Sequence, residues 1–165
     1  MKNIILLFLF FIASLNFAKA QTDPCADIKK TRDDAKKLTS YASPVLQHIR
    51  LNKRLVDNEP VYGISFYIMF SFNIKDADYD AKGVWVTFAD GTIWKVPDPA
   101  INCSYLNVDD GYNLHATGEL EGKDPEQFKA KKVVKIRIGD HEMDIDDAYA
   151  IKFMAYVKCI DDIKK

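Results

Sequence analysis

The stretch that decides the fold is YGISFYIMFSF, which runs from Tyr62 to Phe72. Large apolar side chains occupy its alternate positions: Tyr62, Ile64, Phe66, Ile68, Phe70 and Phe72. Strict alternation is typical of a strand with one buried face, because successive side chains of a strand point to opposite faces. A slip of one residue in its pairing would expose the whole set. We therefore expect this strand to have one register and to build the core.

Further segments with a period of two lie on both sides of this strand. They predict strands at residues 47–55, 84–88, 92–96, 101–106, 112–120 and 133–138, and a short one around Met143 and Ile145. The fold class indicated is mainly β (α+β). Its architecture is an antiparallel β-sandwich or open barrel of about seven or eight strands with a C-terminal helix.

Helical signals are confined to the ends and to one internal turn. Spacing typical of a helix predicts an α-helix from Asp147 to about Ile163, with a strand over 149–159 as the alternative. Asp124 followed by proline predicts a short helix, since aspartate caps helices and proline suits their first turn. Asp23 followed by Pro24 gives the same signal at the start of the mature chain.

The segment Ala89-Asp90-Gly91 predicts a β-hairpin that fits two registers. A two-residue loop would pair Trp94 with Thr87 and put it on the same face as Trp85. A three-residue loop, with Gly91 in a left-handed conformation, would pair Trp94 with Val86. The second register gathers the apolar side chains on one face, so burial favours it.

The first twenty residues have the features of a secretory signal peptide. Lys2 provides the positive charge, residues 4–15 form an apolar run, and AKA at 18–20 supplies small residues before Gln21. The sequence therefore predicts a secreted or periplasmic protein with one β-rich globular domain at residues 21–165. No second long apolar run follows, and we expect no membrane insertion once the signal is removed.

Charge and cysteines narrow the classes of partner and chemistry. Without Lys2 and Lys19, 21 basic side chains stand against 24 acidic ones, a net charge of −3 with neutral histidines. Such a balance argues against nucleic acid as a partner.

Among the three cysteines we predict a Cys25–Cys159 disulfide, because chain termini often lie close together, with Cys103–Cys159 as the second choice.

Three patches resemble a group of small secreted uncharacterised bacterial proteins. The patches are residues 41–44 (YASP), residues 83–92 (GVWVTFADGT) and residues 156–159 (YVKC). The shared pattern is a signal peptide, a Gly-Val…Phe-x-Asp-Gly-Thr hairpin and a C-terminal Lys-Cys. The resemblance covers most of the mature chain and supplies no catalytic or binding residues. Trp94 and Cys103 depart from that pattern.

The leading candidate site is an aromatic sheet face. Tyr67, Trp85 and Tyr79, with Trp94 in one hairpin register, are candidates for a flat platform that stacks on sugar rings or apolar peptide segments. The competing interpretation is that a second sheet or the terminal helix covers these rings. The function predicted is an exported non-catalytic binding or accessory module for a glycan or peptide, with no cofactor and no metal.

Four other interpretations are weaker. Asp76, Asp78 and Asp80 alternate as in calcium loops but lack the required glycine and glutamate. A secreted hydrolase is the principal alternative, and its acids, Asp140, Glu142 and Asp144, would converge only in the fold. A structural or inhibitor-like protein acting through the loop 73–83 is the third. Cys103 with His115 is a conceivable cysteine nucleophile pair, which an oxidising compartment and a strand position without a helix N-terminus disfavour.

Overall fold

The computed structural model describes residues 23–57, 59–70, 83–106 and 111–163. The predicted signal peptide, the carboxylates of the calcium-type loop, Tyr79 and Phe72 all lie outside these ranges. Within them the chain forms ten strands, two more than the upper figure predicted. Their bounds are β1 Lys29–Asp33, β2 Leu38–Ala42, β3 Ile49–Val56, β4 Glu59–Phe70, β5 Val84–Phe88, β6 Ile93–Lys95, β7 Ala100–Leu106, β8 Gly111–Leu120, β9 Val133–Ile138 and β10 His141–Asp144.

The strands form two antiparallel sheets in a sandwich-like arrangement. The larger sheet has the order β1-β2-β3-β4-β8-β7 and the smaller one the order β10-β9-β5-β6. The predicted core strand, β4, lies inside the larger sheet between β3 and β8. Its Ile64, Phe66 and Ile68 are buried with at most 1% of their surface exposed, which confirms the register assigned to them.

Two helices complete the core. The short helix α1 spans Asp124–Ala130, and the C-terminal helix α2 spans Asp147–Asp162. Phe153 and Tyr156 of α2 are fully buried, and Phe128 of α1 packs edge-on against Phe153. The prediction of a C-terminal helix is therefore confirmed, and the alternative strand over 149–159 is wrong. No helix in the described part of the chain has the length and apolar character needed to cross a membrane.

The predicted disulfide is present. Cys25 is bonded to Cys159, and their Cα atoms lie 5.3 Å apart across a sequence separation of 134 residues. Cys25 belongs to a single 3-10 turn at Pro24–Asp27, where the side chain of Asp23 accepts a hydrogen bond from the backbone N–H of Cys25 at 2.9 Å. The bond thus ties the start of the described chain to the C-terminal helix.

The hairpin adopts the three-residue register. Trp94 pairs with Val86, and Gly91 has a φ of +80°. Because of this register Trp94 points inward and is 8% exposed, between the smaller sheet and Phe128 of α1. Its ring is therefore part of the core and not part of an outward platform.

Candidate functional site

The outward face of the larger sheet is polar at its centre. Arg50, Asn52 and Arg54 alternate along β3 with the buried Ile49, Leu51 and Lys53. On β4 the residues opposite Arg50 and Asn52 are Ser65 and Gly63. Small residues on β4 therefore leave space above the sheet between the longer side chains of β3 and those of β8.

This space is a cavity of about 720 Å³, which we call the sheet cavity. Most of the side chains that line the sheet cavity can donate or accept hydrogen bonds. The lining residues are Thr31, Ser40, Ala42, Arg50, Asn52, Arg54, Gly63, Ile64, Ser65, Pro97, Asp98, Ala100, Thr117, Gly118, Glu119 and Glu121. A cavity of this size is in the range that holds a small molecule or a few sugar units.

The sheet cavity has a wall on each side. Thr31 and Ser40, which pair across the β1–β2 hairpin, form one wall. Asp98, in the connection from β6 to β7, and Ala100, the first residue of β7, form the other. Asp98 has a left-handed φ of +37°, a conformation that non-glycine residues adopt rarely and that is often found at ligand clamps.

An ion pair crosses the floor of the sheet cavity. The guanidinium of Arg54 lies 3.3 Å from the carboxylate of Glu119, across the intervening strand β4. Asn52 lies over Gly63, since a Cβ built on that glycine would come within 2.7 Å of the Asn52 Oδ1 atom. Glycine at position 63 is what allows the Asn52 amide to occupy this position.

Arg50 differs from Arg54 in having no ion-pair partner among the described residues. Its Nε atom is buried and has no hydrogen-bond partner. Buried polar groups in folded proteins are nearly always paired, and an unpaired charged donor is unusual. Arg50 is therefore an arginine of the lining whose charge is not neutralised by an ion pair among the described residues.

An aromatic pair lies on the same face, one step along the strands from Arg50 and Ser65. Tyr67 stacks on His115 with ring centroids 4.6 Å apart and planes 6° from parallel. Burial lowers the pKa of His115, and its Nε2 atom is buried without a partner. Burial also lowers the pKa of His48, whose Nδ1 lies 2.9 Å from the carbonyl oxygen of Tyr67. Both imidazoles are therefore biased towards the neutral form.

The residues of the predicted aromatic platform do not all meet. Tyr67 is on β4 of the larger sheet, whereas Trp85 is on β5 of the smaller sheet. One face of Trp85 is covered by the guanidinium of Arg137, which lies 4.0 Å from the ring centroid. Tyr79 lies outside the described residues. Of the predicted set, Tyr67 is the residue next to the sheet cavity.

The candidate residues for other chemistries are also separated from the sheet cavity. Glu142 and Asp144 lie on β10, where Lys135 of β9 pairs with Glu142 at 2.9 Å. Cys103 pairs with Leu114 on the inward side of the larger sheet, whereas His115 points outward. No cluster of three histidine, cysteine or acidic side chains suited to a metal occurs in the described ranges.

The period of two over residues 47–55 indicates a strand with one polar face, but it does not single out Arg50, Asn52 and Arg54 as parts of a site. The available signal was their combination with Gly63 and Ser65, because small residues opposite long polar ones leave room for a ligand.

Comparison of the chain with protein families, curated proteins and solved structures found no match.

Proposed function

We propose that the chain is an exported, non-catalytic binding module that holds a polyhydroxylated ligand of the glycan class in the sheet cavity. The observation that carries the proposal is the lining of that cavity. Hydroxyl, amide, guanidinium and carboxylate groups surround a volume of about 720 Å³. Sugar hydroxyls both donate and accept hydrogen bonds, so a lining with both kinds of group is complementary to them.

The neighbouring aromatic pair supports the same class of ligand. Tyr67 and His115 add a partly buried ring surface beside the polar lining. Rings of this kind pack against the apolar faces of sugars while their polar atoms reach hydrogen-bond partners. The aromatic face expected from the sequence thus enters the proposal through Tyr67, next to the cavity, and not through Trp85.

The location of the sheet cavity favours a glycan over a peptide. Peptides that bind sheets commonly add a strand to an open edge, using main-chain hydrogen bonds. The floor of the sheet cavity instead lies on the central strands β3, β4 and β8, each paired on both sides, and the edge strands contribute the side chains of Thr31 and Ala100 to its walls. Side chains, and not backbone groups, are therefore what the ligand meets.

Export is supported by the Cys25–Cys159 bond, because structural disulfides persist in oxidising compartments. It is further supported by the features of a signal peptide at residues 1–20. The two observations are independent, since one comes from the leader and the other from the folded domain.

The experiment is saturation-transfer NMR of the mature protein with a panel of neutral and acidic oligosaccharides. We expect at least one compound to receive saturation from the protein. A double variant, Thr31→Trp with Ala100→Trp, fills the cavity from its two walls and should abolish the signal. Both positions are exposed and line the cavity, so the substitutions leave the core untouched.

Lys30→Trp is the matched control. Lys30 is adjacent to Thr31 on β1 and points to the opposite side of that strand. It should bind as the parent protein does. If no oligosaccharide binds, or if the double variant binds as well as the control, the proposed function is wrong.

A further inference from the structure

The ligand class can be narrowed by the charges inside the sheet cavity, on the premise that the proposed function holds. The β3 side carries two cations, Arg50 and Arg54. The β8 side and the β6–β7 connection carry three carboxylates, Asp98, Glu119 and Glu121. The cavity is therefore polarised across β4, with cations on one side and anions on the other.

The two arginines are not equivalent. Arg54 is already neutralised by Glu119 at 3.3 Å. Arg50 forms no ion pair among the described residues, and its Nε atom is buried without a hydrogen-bond acceptor. A guanidinium presents its N–H groups as a planar fork that matches the two oxygens of a carboxylate. Because the Arg50 side chain lines the sheet cavity, its guanidinium supplies the positive charge with which a ligand carboxylate would pair.

The opposite wall limits the charge that this anion can carry. A phosphate ester carries nearly two negative charges at neutral pH and would face the carboxylates of Asp98 and Glu121, besides Glu119, which is paired with Arg54. A carboxylate carries one. Hydroxyl groups on the same molecule can then donate hydrogen bonds to the acidic wall, as sugar hydroxyls do to carboxylates.

We propose that the sheet cavity binds an acidic saccharide of the uronate class, with the sugar carboxylate paired to the Arg50 guanidinium and the ring hydroxyls directed to the acidic wall. Arg50 is the residue that separates charged from neutral sugars. Ser65, which is opposite Arg50 on β4, and Asn52, two residues along β3, add polar groups for the ring hydroxyls.

The test uses pairs of compounds that differ only at the carboxylate. Oligosaccharides of glucuronate, galacturonate, mannuronate and guluronate are titrated calorimetrically into the mature protein at low ionic strength, each beside its methyl ester. Esterification removes the charge and keeps every hydroxyl. We expect at least one free acid to bind ten-fold or more tightly than its ester. This comparison uses the unmodified protein and does not depend on how any variant folds.

Arg50→Gln then assigns the preference to one residue. We expect this variant to bind the acid and the ester with equal affinity, while Arg50→Lys keeps part of the preference because it keeps the charge without the fork. Arg32→Gln is the control, since Arg32 is an exposed arginine of β1 paired with Asp34 at 2.6 Å. It should keep the full preference.

The outcomes separate this inference from the proposed function. If acids and esters bind equally well to the unmodified protein, the cavity binds glycans but the uronate assignment is wrong. A preference that survives in Arg50→Gln also overturns the assignment. If neither form of any pair binds, the uronate assignment is wrong, and the panel of neutral and acidic oligosaccharides then decides whether its premise is wrong as well.

Discussion

The Nζ atom of Lys53 lies 2.9 Å from the carbonyl oxygen of Ile163 and donates a hydrogen bond to it. It also reaches the carbonyl oxygens of Ile160 and Asp161, at 3.3 Å each. The last carbonyls of an α-helix have no partner within the helix and carry its negative dipole end. A lysine from the middle of β3, only 5% exposed, thus caps the C-terminal helix from the larger sheet.

Replacement of Lys53 by methionine should destabilise the protein. The apolar chain is retained and the three hydrogen bonds to the helix end are lost, so we expect the free energy of unfolding to fall by about 2 kcal/mol. Urea denaturation followed by circular dichroism measures it. Lys36→Met, at an exposed turn position, is the control and should change little. Unchanged or increased stability in Lys53→Met would show that burying the charge costs as much as the cap contributes.

Gly118→Ala should strain the contact between the two sheets. A Cβ at position 118 would lie 2.2 Å from the Cγ1 atom of Val96, closer than atoms can pack. Val96 is buried, so we expect a loss of about 1–3 kcal/mol from overpacking.

The double variant Gly118→Ala with Val96→Ala is the matched test of that cause. If the clash is responsible, the two changes together should cost less than the sum of the two single changes. Additive losses in thermal denaturation would attribute the effect to something other than this contact.

Removal of the disulfide should lower the free energy of unfolding, because the bond restricts the conformations of the unfolded chain. Cys25 and Cys159 close a loop with a separation of 134 residues, and the chain-entropy treatment of so long a loop gives about 4–5 kcal/mol. The double variant Cys25→Ser with Cys159→Ser should melt at least about 8 °C below the parent. Cys103→Ser, which leaves the bond intact, is the control. Equal melting of the double variant and the parent would contradict the prediction.

Acid should weaken the junction between the two helices and β4. The Asp161 carboxylate accepts hydrogen bonds from Lys129 at 2.7 Å and from Tyr62 at 2.6 Å, and these lower its pKa. A carboxyl whose pKa is lower in the folded state stabilises the fold above the unfolded pKa of about 4. That contribution is lost as the pH falls from about 4 through the folded value.

Asp161→Asn should therefore make the stability of the protein depend less steeply on pH between about pH 5 and 2. Urea midpoints measured across that interval give the slope. The exposed neighbour Asp162, changed to asparagine, should leave the slope as it is in the parent. If the variant and the parent have equal slopes, Asp161 does not contribute to the acid sensitivity of the protein.

The sequence was sufficient for elements that bury one face. The alternation in β4 and the helical spacing in α2 are both confirmed by the structure, because each pattern reflects which side chains are buried. The two strands that the sequence did not predict, β1 and β2, show the limit of this signal. Every residue of β1 except Asp33 is exposed, so its strand conformation depends on pairing with β2 and leaves no apolar pattern.

A bulge interrupts the alternation in β9. Strict alternation from Ile136 and Ile138 would place Val134 on the inward side, but the pairing of β5 with β9 shifts between Thr87 and Phe88. Val133 is buried in its place, 1% exposed. An extra residue in one strand reverses the alternation locally, and no property of the valines themselves predicts it.

The candidate site was less predictable than the fold. The polar side of β3 was visible in the sequence, but the cavity arises only when β3, β4 and β8 become neighbours. The separation of Tyr67 from Trp85 likewise follows from which sheet each strand joins. Long-range packing decides which sheet a strand joins, and the residue types along a single strand do not predict that packing.

The bond between Cys25 and Cys159 also decides how the folded domain responds to mechanical force. All ten described strands lie between these two cysteines. Tension applied to the two ends of the chain would pass directly from one sulfur to the other, so neither sheet would carry the load. A domain joined in this way can be stretched between two anchors at its ends while both sheets keep their structure.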